Sequence, residues 1–143
     1  MFAGFITLTL ASLFAGAALY INVGEQPARL GLDDRAMLSE WKPAYKLGTR
    51  MQAPLAALGF LFGMLAWWET GNLIWIASAI MMIANLPVTL VVIWPTNIRL
   101  MRTDIQAAGP ESRAMIIKWG KLHGIRTTLG IGATVASLSA LVG

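Results

Sequence analysis

The sequence predicts an all-α integral membrane protein folded as an antiparallel four-helix bundle, and three observations predict it. Hydrophobic residues make up 57% of the chain and charged residues only 13%, with a mean hydropathy of +0.65; soluble domains carry about 45–50% and about 25%. Four apolar segments are each long enough to cross a hydrocarbon core of roughly 30 Å at about 1.5 Å per helical residue. All 11 lysines and arginines fall in or beside two of the three connections between those segments.

Residues 2–23 carry no charge, and no basic residue precedes Phe2, so the segment reads as a span rather than a cleaved leader. Residues 25–50 form a long, mixed-charge connection with Pro27, Gly31 and Pro43, in which Asp33-Asp34-Arg35 opens a short interfacial helix towards Trp41. Residues 51–68 are the second span and Glu69-Thr70-Gly71-Asn72 a tight turn. Residues 73–94 are the third span, where Pro87 lacks the N–H of a helical hydrogen bond and predicts a kink of more than about 20°. Asn85 and Thr89 stand ready to satisfy the carbonyl that Pro87 frees near Ile83. The third connection ends at Gly109-Pro110, and residues 116–142 are the fourth span. The whole chain is one domain.

Arg29, Arg35, Lys42, Lys46 and Arg50 lie in the first connection, and Arg99, Arg102, Arg113, Lys118, Lys121 and Arg126 in or beside the third. By the positive-inside bias, both connections are cytoplasmic and both termini are not. The net charge of +4 and pI near 10.0 need no nucleic acid. The basic residues are interspersed with Asp33, Asp34, Glu40, Asp104 and Glu111, and no nucleic-acid motif is present. The partners expected are the lipid bilayer and a hydrophobic small molecule, with a homo-oligomer or a larger membrane complex as further associations. The absence of cysteine excludes disulfides and thiolate sites, and one histidine excludes a multi-histidine metal cage within one chain, so no metal and no cofactor is expected.

Helices in lipid associate through small residues. Gly59 and Gly63 in the second span, Gly132, Ala136 and Ala140 in the fourth, and Ala11, Ala15 and Ala18 in the first are the expected contacts within the bundle. Met81 and Met82 are expected to fill gaps. Trp67, Trp68, Trp75 and Trp94 are expected as interfacial belt residues.

An antiparallel topology brings Tyr20, Asn22 and Glu25, then Arg50 and Gln52, then Thr96 and Asn97, then Trp119, His123 and Arg126 to one end of the bundle. Polar groups at membrane depth face a bundle interior or a wet cavity. Trp119, His123 and Arg126 share one helical face by their spacing. That face suits either a site or an interfacial anchor: imidazole exchanges a proton near neutral pH, guanidinium holds an anion, and indole offers a flat surface. Trp41 is placed to cap such a pocket.

The ordered motifs resemble the small integral-membrane family that includes the anthrone oxygenases of polyketide pathways. They are Gly16-x-x-x-Tyr20, Trp41, Gln52-x-Pro54, Asn85-x-Pro87-x-Thr89, Pro95-Thr96-Asn97 and Trp119-x-x-x-His123-x-x-Arg126. The resemblance implies a four-helix membrane protein, some of whose relatives oxidise an anthrone to an anthraquinone with dioxygen and no established cofactor. In that chemistry His123 is the base that takes a proton from an activated methylene. Arg126, Asn97 or Gln52 stabilises the oxyanion, and Trp119 stacks on the flat substrate with Gln52, Trp41 and Tyr20 nearby. Two other function classes stand beside the membrane oxygenase. One is a non-catalytic subunit of a membrane complex, and the other a haem or quinone carrier with His123 as an axial ligand.

Overall fold

The computed structural model describes residues Met1–Gly143. Four long helices carry the chain up and down: α1 (Phe2–Leu30), α2 (Asp34–Thr70), α3 (Ile74–Arg102) and α4 (Pro110–Val142), each apolar and long enough to span a membrane. No strand is present. The protein is a multi-pass membrane four-helix bundle. Its helices stand on a square: α1 and α3 each pack against both α2 and α4, while α2 and α4 meet little across the diagonal.

The connections are shorter than expected. The stretch from Glu25 to Arg50, anticipated as a long loop, is helical except for residues 31–33. The interfacial helix foreseen after Asp33 is the first part of α2. At 37 residues α2 is about 55 Å long, well beyond a hydrocarbon core of roughly 30 Å. Tertiary burial holds this extension. Met37, Leu38 and Trp41 pack against Ile93, Leu100, Ile116 and Trp119 in a core of their own.

Local chemistry sets the ends. Asp33 caps α2 by accepting from the N–H groups of Arg35 and Ala36, each at 3.0 Å. Gly71 closes it in the left-handed conformation at φ 71°, where any side chain would be strained. Lys42 Nζ donates to the carbonyls of Met101 and Thr103 at the end of α3. Ser112 Oγ accepts from Gly109 N–H at 3.0 Å where α4 begins.

Two helices contain a wider, π-helical turn. In α1 it covers Ile21–Glu25, and the N–H of Gln26 reaches back to the carbonyl of Ile21. In α3 it covers Val88–Ile93, directly after Pro87, and Trp94 N–H reaches Thr89 O. Asn85 Nδ2 donates to the carbonyls of Met81 and Met82, and Thr89 Oγ1 to that of Asn85. Neither side chain serves the Ile83 carbonyl as expected. The chain answers the missing Pro87 N–H by re-spacing its own hydrogen bonds instead.

Close approach of the helices depends on small residues. A Cβ on Gly63 would lie 2.9 Å from Ala79 Cβ and 3.3 Å from its Cα, and Gly59 receives the Met82 side chain. Both expected glycines thus serve the α2–α3 contact. On α4 the buried line runs Ile116, Trp119, His123, Arg126, Gly130, Ala133, Ser137, Ala140. Its alternating steps of three and four are those of a coiled-coil seam. Of the stripe expected there, Ala140 belongs to the line, while Gly132 and Ala136 are only half-buried beside it. Ser78 Oγ meets Ser137 Oγ at 2.7 Å across α3 and α4. Trp75 is not a belt residue: it is fully buried against Gly4, with Ala3, Ala66 and Ala140 around it. Trp68 and Trp94 are exposed and Trp67 is half-buried.

Candidate functional site

Between the aromatic core at the basic end and the alanine-rich middle layer lies a band of buried polar side chains. His123 and Gln52 are 2% and 1% exposed, and Arg126 is 8% exposed. Together with Trp119 they line one narrow cavity, whose other walls are Ile21 and Glu25 of α1 and Ala44, Tyr45, Gly48 and Thr49 of α2. The cavity volume is about 20 Å³, room for about one water molecule.

His123 is oriented from α1. Its Nδ1 lies 2.9 Å from Asn22 Oδ1. Asn22 Nδ2 donates to the carbonyl of Gly120 at 2.8 Å, which fixes which end of the amide faces the imidazole. Thr127 Oγ1 donates to the same Asn22 oxygen at 2.6 Å. The neutral imidazole therefore carries its proton on Nδ1 and leaves the lone pair on Nε2. Gly120, His123 and Thr127 lie on one side of α4, so one asparagine ties three consecutive positions of that face to α1.

Arg126 and Gln52 each bury a donor without a protein partner, Arg126 Nε and Gln52 Nε2. No carboxylate pairs with Arg126; its guanidinium carbon sits 5.5 Å from the centre of the Phe14 ring. A buried cation with no counter-charge is costly. Such a group stands at membrane depth where an anion or a developing negative charge supplies the missing partner.

An aromatic ladder closes the cavity towards the basic end. Tyr45 stacks on Trp41 at 4.9 Å, Trp41 meets Trp119 edge-on at 5.7 Å, and Trp119 lies 5.1 Å from His123, all between ring centres. Arg29 sits over the Trp119 ring at 5.6 Å. Arg29 itself is buried, paired with Glu25 and Glu40 and donating to Gln26 Oε1 at 2.7 Å. The Trp119 ring, expected as a free stacking surface, is thus packed by Trp41, Arg29 and His123. Trp41 is fully buried within the ladder rather than standing over the cavity as a cap.

Asn97 adjoins the cavity without lining it. Its Nδ2 donates to Tyr45 Oη at 3.2 Å, and its Oδ1 is buried without a partner. Tyr20 stands apart: it is 63% exposed, its ring laid over Gly24 on the outer surface of α1. Residues two apart on a helix point to nearly opposite sides, so a helix that aims Asn22 inward aims Tyr20 outward. Sequence reasoning placed Asn22 among the polar residues at this end without a role beside His123, and did not single out Tyr45 or Thr127. The position of Thr127 one turn after His123 is the signal that could have found it.

No three histidine, cysteine or acidic side chains converge as a metal-binding group. The fold and this band define a multi-pass helical membrane protein with a buried, polar, water-sized cavity. A family model described as anthrone oxygenase matches residues 41–136. The chain belongs to that family. No curated protein and no solved structure matches it. The match runs from Trp41 to Ala136, so Gln52, Asn97, Trp119, His123 and Arg126 lie inside it and Asn22 outside.

Proposed function

We propose that the protein is a membrane-embedded oxygenase of a flat, hydrophobic, anthrone-like substrate. One observation carries the reading. A tautomer-fixed histidine with a free Nε2 shares a cavity with two buried, unpartnered donors, Arg126 Nε and Gln52 Nε2. Nε2 accepts a proton from the activated methylene of the substrate. The charge moves to the conjugated oxygen, which Arg126 and Gln52 meet with N–H groups already in place. The electron-rich carbon forms a bond to dioxygen. The resulting hydroperoxide takes up the proton and loses water to leave a ketone. One anthrone and one dioxygen thus give one anthraquinone and one water. Family membership supports the substrate class.

The same reading places the basic end in the cytoplasm and both termini outside, since every lysine and arginine falls at that end. The test is dioxygen uptake and anthraquinone formation by the protein in nanodiscs supplied with an anthrone. Turnover above the slow spontaneous oxidation is expected, with a loss of about 10²- to 10⁴-fold in His123→Ala. Turnover indistinguishable from empty nanodiscs overturns the proposal.

A further inference from the structure

The cavity beside His123, at about 20 Å³, cannot hold an aromatic ring; a cavity of roughly 150 Å³ is needed for benzene. Arg126 also borders a second space. A groove of about 220 Å³ runs between α2 and α3, walled by Ala53, Leu86, Leu90 and Trp94, with Arg126 at its inner end. Its lining is almost wholly apolar apart from Thr49, Thr89 and the Tyr45 hydroxyl. Leu90 and Trp94 are exposed on the outside of the bundle, at the depth of the apolar spans. Tyr45, Thr49 and Arg126 belong to the walls of both spaces.

We infer that this groove is a bilayer-facing binding site for a flat, apolar ring system carrying one ionisable oxygen. The rings lie along Ala53, Leu86 and Leu90 against Trp94, and the oxygen meets the buried guanidinium of Arg126. Three observations point to such a ligand. The groove is roughly ten times larger than the cavity it adjoins. The only cation at its inner end is nine-tenths buried, with Nε unpartnered. Thr89 and Leu90 lie in the π-helical turn of α3, and such turns recur at functional sites. The ligand comes from the lipid, because the mouth of the groove opens between two apolar spans. The identification of the rings as a substrate rests on the oxygenase reading; the site does not.

The experiment uses 2-hydroxyanthraquinone, a stable dye with one phenolic hydroxyl whose colour reports its ionisation, with the full chain in nanodiscs. Wild-type protein is expected to shift the bound dye towards its anion at a pH where dye in empty nanodiscs remains neutral. Arg126→Met removes the colour shift. Leu90→Trp, at an exposed position that folding tolerates, and Ala53→Phe raise the half-saturating dye concentration by about tenfold to a hundredfold. That is the loss expected when one ring's worth of apolar contact is blocked. Binding that survives both groove-filling variants, or a colour shift that survives Arg126→Met, overturns the site. Dye binding as expected in a protein that does not oxidise an anthrone overturns the oxygenase reading and leaves the site standing.

Discussion

Asn22 offers the sharpest test of how the bundle prepares His123, because the chain has only one histidine. Its ¹⁵N-labelled imidazole gives one pair of nitrogen signals with no assignment problem. Asn22 Oδ1 accepts from Nδ1 at 2.9 Å, and the Gly120 carbonyl, 2.8 Å from Nδ2, prevents the amide from turning over. The wild-type ring is therefore expected as the Nδ1–H tautomer. Asn22→Ala removes this bond, the Thr127 bond at 2.6 Å and the Gly120 bond. A hydrogen bond worth about 1.4 kcal/mol shifts the tautomer ratio about tenfold, so the Nε2–H form should become prominent. That form presents no lone pair at Nε2 and cannot serve as the base. Three interhelical bonds at about 0.6 kcal/mol each in a membrane protein total about 2 kcal/mol, a loss the bundle should survive. Anthrone turnover should fall about 10- to 100-fold, as when the partner that orients a histidine is removed elsewhere. A wild-type spectrum with the proton on Nε2, or an Asn22→Ala variant with an unchanged tautomer and unchanged rate, would falsify the orienting role.

Arg126→Met should leave thermal stability unchanged or slightly raised while turnover collapses, since a buried unpaired cation contributes to function rather than to the fold; a destabilisation of several kcal/mol with the activity retained contradicts this. Gly63→Ala should lower the melting temperature, because its Cβ would press on Ala79 at 2.9 Å, whereas Gly16→Ala, with nothing within 4 Å, should not; equal effects of the two remove the close-packing argument. Cysteines placed at the exposed Ser39 and Gly143 report sidedness in intact cells: an impermeant thiol reagent should label the second and spare the first, and the reverse pattern inverts the orientation.

The sequence alone determined the helical membrane class, because hydropathy over a span length needs no tertiary information. It also determined which residues meet at one end, since antiparallel helices with short turns leave no other arrangement. Gly59 and Gly63 were legible as a contact, and His123, Arg126, Trp119 and Gln52 as a group at one depth. Rotation about each helix axis was not legible in the same way. It separates the inward Asn22 from the outward Tyr20, buries Trp75, and selects Gly130 and Ser137 over Gly132 and Ala136. The alternating three-and-four spacing on α4 was present in the sequence, but its small and polar members carry no hydrophobic contrast to mark the inward face. The helical extension of α2 towards Asp34 depended on partners far along the chain, Ile93, Leu100, Ile116 and Trp119, which no local propensity registers. The tautomer of His123 and the unpartnered Arg126 were decided last and only by tertiary structure. A hydrogen bond is a matter of ångströms between side chains of different helices, and only the packed bundle fixes those distances.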